Sequence, residues 1–200
     1  ADTSVLIQVV SRVAECYFDI GVITNITHEH LDYHQTFEAY QAAKGRLFRG
    51  LESARLQKPN SPATAVLNQD DRSYPYLAEI SPERRVAYGL SAAADVWADK
   101  ILSTCDGLSF DIFGLDDLPG GNSLRCNSNL IGEYNVYNCL AAAVTGKVLK
   151  LPGSIIQQGL ANLSGVPGRM ERIDFNRDFP GMQNFLALVD FAHTPNSLIN

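Results

Sequence analysis

The residues best suited to chemistry are concentrated in one short polar segment, His28–His34 (HEHLDYH), which holds three of the chain's four histidines. Imidazole and carboxylate groups both bind divalent metal ions, so this segment is a candidate metal-binding loop. A hydrated loop with surface histidines would have the same composition. Neither a His-Glu-x-x-His helix nor a cysteine partner supports zinc. The cluster therefore points to a metal site without identifying the metal.

Lys44 lies on the apolar side of a predicted helix, since it falls seven residues after Phe37 and four after Tyr40. A buried lysine is costly unless its charge is neutralised or used, and a buried neutral amine is a nucleophile. Such an amine can take up CO₂ to form an anionic carbamate beside a metal ion. The alternative is a lysine with a buried stem and a hydrated head group, and the spacing alone favours that alternative.

Three further residues have side chains suited to a nucleotide. Asn138 lies on the polar side of a predicted helix, and its amide offers a donor and an acceptor to a purine edge. Arg169 lies in a glycine-containing loop and can bind a phosphate or a ribose. Asp190 follows an apolar run (FLALV) and can accept hydrogen bonds from ribose hydroxyls. Each also fits an ordinary surface or turn position, and none is specific alone.

The elements that would position these residues alternate between strands and helices. Strands are predicted over 19–24, 63–67, 86–89 and 185–189, helices over 36–58, 71–80, 135–149 and 154–163, and a hairpin over 95–113. Thr36 is the predicted N-cap of the first helix. The pattern predicts an α/β fold, with a mostly parallel sheet flanked by helices and an added antiparallel hairpin.

Three of the predicted strands end at a small polar residue: Asn25, Asn68 and Asp190. Ligands of open α/β sheets bind beyond the carboxyl ends of the strands, so these positions are expected to line one edge of the sheet. Because FLALV is apolar throughout, its strand is expected to be buried on both faces of a parallel sheet. Asn and Asp also begin turns, and that alternative stays open here.

Composition narrows the class of protein. The chain has 200 residues, of which 46% are hydrophobic, and this suits one compact domain. A net charge of -6 disfavours a nucleic-acid-binding surface, and the apolar runs are shorter than the ~20 residues of a membrane helix. The N-terminal residues show no signal peptide. The four cysteines follow neither disulfide nor zinc spacing, which indicates reduced thiols in a cytoplasmic protein.

Five segments, in this order, resemble the central ATP-binding domain of the Mur ligases: TNITHEHLDYH (24–34), AAK (42–44), GEYNVYN (132–138), GRME (168–171) and DFAHTP (190–195). The similarity is greatest to the ligases that add the third residue of the peptidoglycan stem peptide. It implies ATP and Mg²⁺ as cofactors, with a UDP-muramoyl-peptide and an amino acid as substrates. The implied reaction phosphorylates the muramoyl-dipeptide carboxylate, and the amine then attacks the acyl phosphate.

For the metal site, the resemblance implies two ligands. His30 corresponds to the family's magnesium-ligating histidine. Lys44, fourteen residues later, corresponds to a carbamylated lysine that helps hold a magnesium ion. A third family ligand, the glutamate of a Glu-x-(T/S)-S-H-G motif, corresponds to Asp2, and the motif departs from its pattern after Ser4. His30 and Lys44 are therefore the predicted metal-binding and catalytic residues.

For the nucleotide site, the resemblance implies four residues. Asn138 corresponds to the adenine-side asparagine of the family's G-x-(F/Y)-N-x-x-N segment. Arg169 and Asp190 correspond to nucleotide contacts near the γ-phosphate and the ribose. His193 belongs to the same segment as Asp190 and is grouped with the nucleotide-binding residues.

The sequence also departs from the family pattern. No phosphate loop of the form G-x-x-x-x-G-K-[ST] and no C-terminal domain occur in it, so residues 1–200 are expected to form a single, incomplete central domain. Such a piece is expected to be inactive alone and to bind ATP at roughly millimolar affinity at best. Two alternatives remain: another amide ligase of the superfamily, such as a folylpolyglutamate or cyanophycin synthetase, or a non-catalytic nucleotide- or partner-binding module. The DYH and AHTP spellings disfavour the first.

Overall fold

The computed structural model describes residues 16–27, 36–58, 60–116, 118, 123–173, 181 and 185–192. In chain order the elements are β1 (Ile20–Val22), α1 (Phe37–Gln57), β2 (Thr64–Asn68), α2 (Tyr74–Ile80), β3 (Arg85–Gly89), β4 (Val96–Thr104), β5 (Gly107–Phe113), β6 (Ser123–Ser128), α3 (Tyr134–Val148), α4 (Gly153–Asn162), β7 (Glu171–Ile173) and β8 (Ala187–Val189). Each predicted element is present, and the sequence pattern missed β6 and β7. Within these ranges, no helix has both the length and the hydropathy that crossing a membrane requires.

Six strands form one sheet in the order β1-β2-β3-β4-β5-β6. The first four are parallel: Ile20 lies opposite Thr64 and Tyr88 lies opposite Val96. Strands β5 and β6 are antiparallel. A mostly parallel sheet with flanking helices and an antiparallel addition is the predicted class, and this prediction is confirmed.

The chain divides into two compact units. Unit 1 comprises residues 1–97 and 140–150, and unit 2 comprises 98–139 and 151–200. In unit 1, α1 packs on β1 and β2 and against α2. Gly45 permits the close approach of the two helices, because a Cβ there would lie 2.6 Å from Ile80 Cδ1.

Two buried side chains of unit 1 bind the main chain that follows β1. Asn68 Nδ2 donates to the Thr24 carbonyl at 2.7 Å, and the Tyr88 hydroxyl donates to the Ile23 carbonyl at 2.7 Å. Asn68 is 6% exposed and Tyr88 is fully buried. We call Asn68 and Tyr88 the strand-end pair. They fasten the chain just where it enters the histidine-containing segment.

In unit 2, α4 packs on β6, while β7 and β8 form a separate antiparallel sheet with Glu171 opposite Val189. The prediction of a doubly buried parallel strand at 185–189 is wrong, since Leu188 is 37% and Val189 47% exposed. Asp190 therefore does not share a sheet edge with Asn25 and Asn68, and that expectation is also wrong. A continuous apolar run has no period, so it does not specify its pairing partner.

The cysteines fall into two classes. All four are free thiols: Cys16 and Cys105 are exposed, and Cys126 and Cys139 are buried. Burial, and then the neighbouring Cys139, raise the pKa of Cys126 to about 12. Burial also raises the pKa of Cys139. The two buried thiols therefore behave as small apolar groups in the core of unit 2.

Candidate functional site

The structure describes four of the six predicted site residues: Lys44, Asn138, Arg169 and Asp190. The other two are histidines in segments outside the described residues: His30 and His193. Lys44 belongs to unit 1 and the other three described residues to unit 2.

Lys44 is half-buried on α1, between the buried residues Ala43 and Gly45. Its Nζ lies 5.5 Å from the centroid of the Tyr40 ring, one turn earlier on the helix. The side chain thus lies at the margin of the buried stripe, where a lysine stem can pack while its head group reaches a polar environment. Among the described residues, no group of three or more His, Cys, Asp or Glu side chains is placed to hold a metal ion.

The start of α3 carries two asparagines whose side chains are joined. Asn135 Nδ2 donates to the Ile131 carbonyl at 2.7 Å, and Asn138 Nδ2 donates to Asn135 Oδ1 at 2.7 Å. These bonds orient the Asn138 amide at the exposed surface of the helix. Because an amide has two N–H donors and an acceptor oxygen, Asn138 retains one donor and the oxygen for a ligand.

A tight turn over Val166–Glu171, here called the Arg169 turn, leads into β7. The Arg169 N–H donates to the Val166 carbonyl at 3.0 Å. The Gly168 N–H donates to Glu171 Oε2 at 2.8 Å. The turn exposes the Arg169 side chain, as a phosphate ligand requires.

Asp190 follows β8 directly and binds the Arg169 turn. Its Oδ2 accepts the Met170 N–H at 2.6 Å, and its Oδ1 accepts the Ala192 N–H at 2.6 Å. Each carboxylate oxygen can accept a further hydrogen bond. The predicted ribose contact is therefore compatible with this geometry, and Asp190 also has a structural role that the sequence did not indicate.

Phe191, the residue after Asp190, contacts both the main chain of the Arg169 turn and the Arg169 side chain. Its N–H donates to the Gly168 carbonyl at 2.8 Å. Its ring centroid lies 5.5 Å from the Arg169 guanidinium carbon. A guanidinium over an aromatic face gains cation–π attraction, so the ring restricts where the Arg169 charge can lie.

Tyr134, at the start of α3, feels the charges of Asp190 and Arg169. Partial burial, and then the negative charge of Asp190, raise the pKa of the Tyr134 hydroxyl, whereas a hydrogen bond with Asn135 and the charge of Arg169 act in the opposite direction. The charges of Asp190 and Arg169 thus act in opposite directions on the pKa of the Tyr134 hydroxyl. Asn138, Arg169 and Asp190 all belong to unit 2.

A cavity of about 370 Å³ adjoins the Arg169 turn within unit 2. Leu130 and Pro167 contribute apolar wall, and Arg172 contributes a charge that is paired with Asp106 at 2.9 Å. Its volume lies in the range of small-ligand sites. The predicted nucleotide residue Arg169 therefore borders a space of suitable size.

Sequence reasoning did not single out Tyr134, Glu171 or Phe191, although all three lie in motif segments. The spacing Gly168-x-x-Glu171 carried a usable signal, because a carboxylate three residues after a glycine can accept that residue's N–H. Tyr134 and Phe191 had no such local signal, since their roles depend on contacts between segments far apart in the chain.

The profile of the Mur ligase middle domain family matches residues 3–146. The UDP-N-acetylmuramoyl-L-alanyl-D-glutamate–2,6-diaminopimelate ligases of Bacillus velezensis and Bacillus licheniformis are 40% and 39% identical to the chain over 189 residues, which is 94% of this chain and 36% of theirs. A solved structure of an enzyme of that name superposes with a TM-score of 0.74 at 27% identity, covering 98% of this chain and 37% of that one. The chain thus spans about a third of the length of the curated relatives it matches. Sequence and fold together show that the chain belongs to the Mur ligase middle domain family.

Proposed function

We propose that the chain is the central domain of an ATP-dependent ligase, a UDP-N-acetylmuramoyl-tripeptide synthetase, that adds the third amino acid to UDP-N-acetylmuramoyl-dipeptide in peptidoglycan synthesis. The observation that carries this proposal is the 40% identity over 94% of the chain with a diaminopimelate ligase. The names of such relatives favour 2,6-diaminopimelate as the incoming amino acid. Residues 1–200 would then be a single, incomplete central domain, and the activity would belong to the full-length protein.

The chemistry of three residues of unit 2, Asn138, Arg169 and Asp190, supports an adenosine-binding role. The Asn138 amide retains a donor and an acceptor that match the exocyclic amine and a ring nitrogen of adenine. Asp190 retains acceptor capacity for ribose hydroxyls, and the exposed Arg169 guanidinium can bind phosphate oxygens. His193, which lies outside the described residues, is proposed to contribute to the same site.

In the proposed reaction, a carboxylate oxygen of the dipeptide attacks the γ-phosphorus of ATP, which gives an acyl phosphate and ADP. The amine of the incoming amino acid then attacks the acyl carbon, and an amide and inorganic phosphate result. Arg169 would stabilise the negative charge on the phosphoryl oxygens. Because protein side chains form no covalent bond to the substrate in this scheme, catalysis rests on positioning and electrostatics.

The metal site is proposed to involve His30 and Lys44. A carbamate on Lys44 would supply oxygen atoms, which are the ligands that Mg²⁺ prefers, and the half-buried position of Lys44 is compatible with that modification. Bound magnesium would neutralise charge on the transferring phosphoryl group. A cytoplasmic location is part of the same proposal, and the four free thiols support it.

The reaction itself is tested in the full-length protein by measuring ADP release. Release is expected only when both UDP-N-acetylmuramoyl-dipeptide and diaminopimelate are present. Other third-position amino acids, such as lysine, serve as competitors that define the specificity. ATP binding without phosphate release under every combination would instead support a non-catalytic nucleotide-binding module.

Lys44→Ala is expected to abolish activity, and added bicarbonate should not restore it, because the amine that forms the carbamate is gone. Lys58→Ala is the matched control, since Lys58 ends the same helix and pairs with Asp19 at 3.2 Å. Likewise, His30→Ala should weaken magnesium activation while His28→Ala should not. Equal activity of Lys44→Ala and the unmodified protein would contradict the metal-site proposal.

A further inference from the structure

We infer that Glu171 is a positioning residue that aims Arg169 at the nucleotide by holding the main chain of the Arg169 turn. The inference rests on the proposed function, because it concerns the residue that would bind the phosphates. It adds a residue for which the family resemblance supplied no role. Glu171 lines the same cavity as Arg169, and its proposed action is through the position of Arg169.

The bond between Glu171 and Gly168 encloses Arg169. Glu171 Oε2 accepts the Gly168 N–H at 2.8 Å, so the bond closes a loop that contains Arg169 and Met170. A carboxylate that accepts a main-chain N–H forms a charge-assisted bond, which is stronger than a bond between neutral groups. Glu171 is half-buried while Arg169 is exposed, so the anchor is the better protected of the two side chains.

The conformation of the turn shows why an anchor is needed. Gly168 has a φ of +69° and Met170 a φ of +46°, so both neighbours of Arg169 lie in the left-handed region. A residue with a side chain is strained there and stays in place only when its surroundings hold it. Two holding contacts come from the end of β8, since Asp190 accepts the Met170 N–H and Phe191 donates to the Gly168 carbonyl.

Glu171 completes this arrangement from within the turn itself. With Gly168 and Met170 both fastened, the main chain of Arg169 is fixed, and the Phe191 ring at 5.5 Å limits the guanidinium. A ligand then meets an arginine that is already ordered, so less conformational entropy is lost on binding. Without the Glu171 bond, Gly168 would be held only through its carbonyl, and Arg169 would sample other directions.

The test compares two substitutions of similar length in the full-length protein. Glu171→Gln keeps an oxygen that can accept the Gly168 N–H, whereas Glu171→Met does not. Calorimetry with Mg²⁺-ATP, without the other substrates, measures the dissociation constant. Glu171→Gln is expected to stay near the unmodified value, and Glu171→Met to raise the constant by about tenfold. Glu79→Ala, which removes an exposed carboxylate from α2, is the control and should change nothing.

A double-mutant cycle separates positioning from a general structural role. If Glu171 acts through Arg169, Glu171→Met should cause no further loss of affinity in an Arg169→Ala background. Equal losses in both backgrounds, or an unchanged constant for Glu171→Met when Arg169→Ala weakens binding, would overturn the inference and leave the proposed function intact. An unchanged constant for Arg169→Ala would instead contradict the nucleotide assignment of Arg169, and the inference would fail with it.

Discussion

The strand-end pair in unit 1 and the Arg169 turn in unit 2 both depend on polar side chains that bind main chain next to a strand, yet the first lies in buried and the second in exposed surroundings. Asn68 and Tyr88 are buried, and each donates to a carbonyl at 2.7 Å. Asp190 is exposed and accepts the Met170 N–H at 2.6 Å from a turn that carries an exposed arginine. The bonds are similar in length. Water can compete for the bond of the exposed Asp190, whereas burial shields the bonds of Asn68 and Tyr88 from it.

This difference in exposure gives hydrogen bonds between side chain and main chain two different roles. A buried polar group that loses its partner leaves the other half unpaired away from water, so its bonds mainly affect stability. At an exposed turn, water replaces a lost partner, so the bonds mainly affect orientation. Substitutions in the strand-end pair should therefore alter the free energy of unfolding, and substitutions in the Arg169 turn should alter ligand affinity.

Asn68→Leu provides the largest expected effect. It leaves the Thr24 carbonyl and the Asp70 N–H without their Asn68 partner at a nearly buried site. The free energy of unfolding should fall by about 1–3 kcal/mol, as measured by urea denaturation. Asn162→Leu, at the exposed end of α4, is the control. A loss no larger than the control's would remove the distinction between the two regions.

Asp111 in β5 is intermediate between the buried and the exposed bonds. Its carboxylate is 10% exposed, while its partners Lys100 and Arg125 are 67% and 46% exposed. Hydrogen bonds from Lys100, then Arg125, hold the pKa of Asp111 below its usual value. A lowered folded-state pKa contributes stability above the unfolded pKa, and this stability is lost as the pH falls through the folded pKa.

The expected loss in Asp111→Asn is below about 1 kcal/mol near neutral pH, because the exposed cations are screened. Urea denaturation between pH 7 and pH 3 should show a constant difference from the unmodified protein above about pH 5, and the difference should narrow progressively as the pH falls below about 4. A difference that widens on acidification would contradict the stated origin of the pKa shift.

Arg172→Ala should have the smallest effect. The pair with Asp106 is 2.9 Å long, but the two side chains are 55% and 76% exposed. The free energy of unfolding is therefore expected to change by no more than about 0.5 kcal/mol, and added salt should not alter that result. A change above about 1 kcal/mol in a thermal or urea unfolding experiment would show that the exposure of an ion pair does not determine its contribution to stability.

Features that depend on local chain chemistry were predictable from the sequence. Thr36 caps α1 as predicted, because its Oγ1 accepts the Ala39 N–H at 3.1 Å within the same turn. Strands β1, β2 and β3 followed from short apolar runs, whereas β4 was predicted only as an arm of the hairpin and its parallel pairing with β3 was not. Strand β6 was missed although Leu124 and Cys126 alternate with exposed residues, since its small polar residues resemble a loop.

The assembly of the candidate site was less predictable. Arg169 and Asp190 each had a suitable side chain, but the contact of Asp190 with the Arg169 turn depends on the pairing of β7 with β8, which no local pattern specifies. The same limitation explains the wrong burial prediction for β8. Lys44 was placed on the correct side of α1 by periodicity, whereas its half-burial depends on how α1 packs in unit 1.

The unequal burial of the cysteines makes the protein suitable for selective labelling. Because burial raises the pKa of Cys126 to about 12, its thiol stays protonated at pH 8, and the same burial slows attack by a maleimide. Cys105 is exposed and borders the cavity beside the Arg169 turn. Once Cys16 is replaced by serine, a fluorophore on Cys105 would report directly whether a small molecule occupies that cavity.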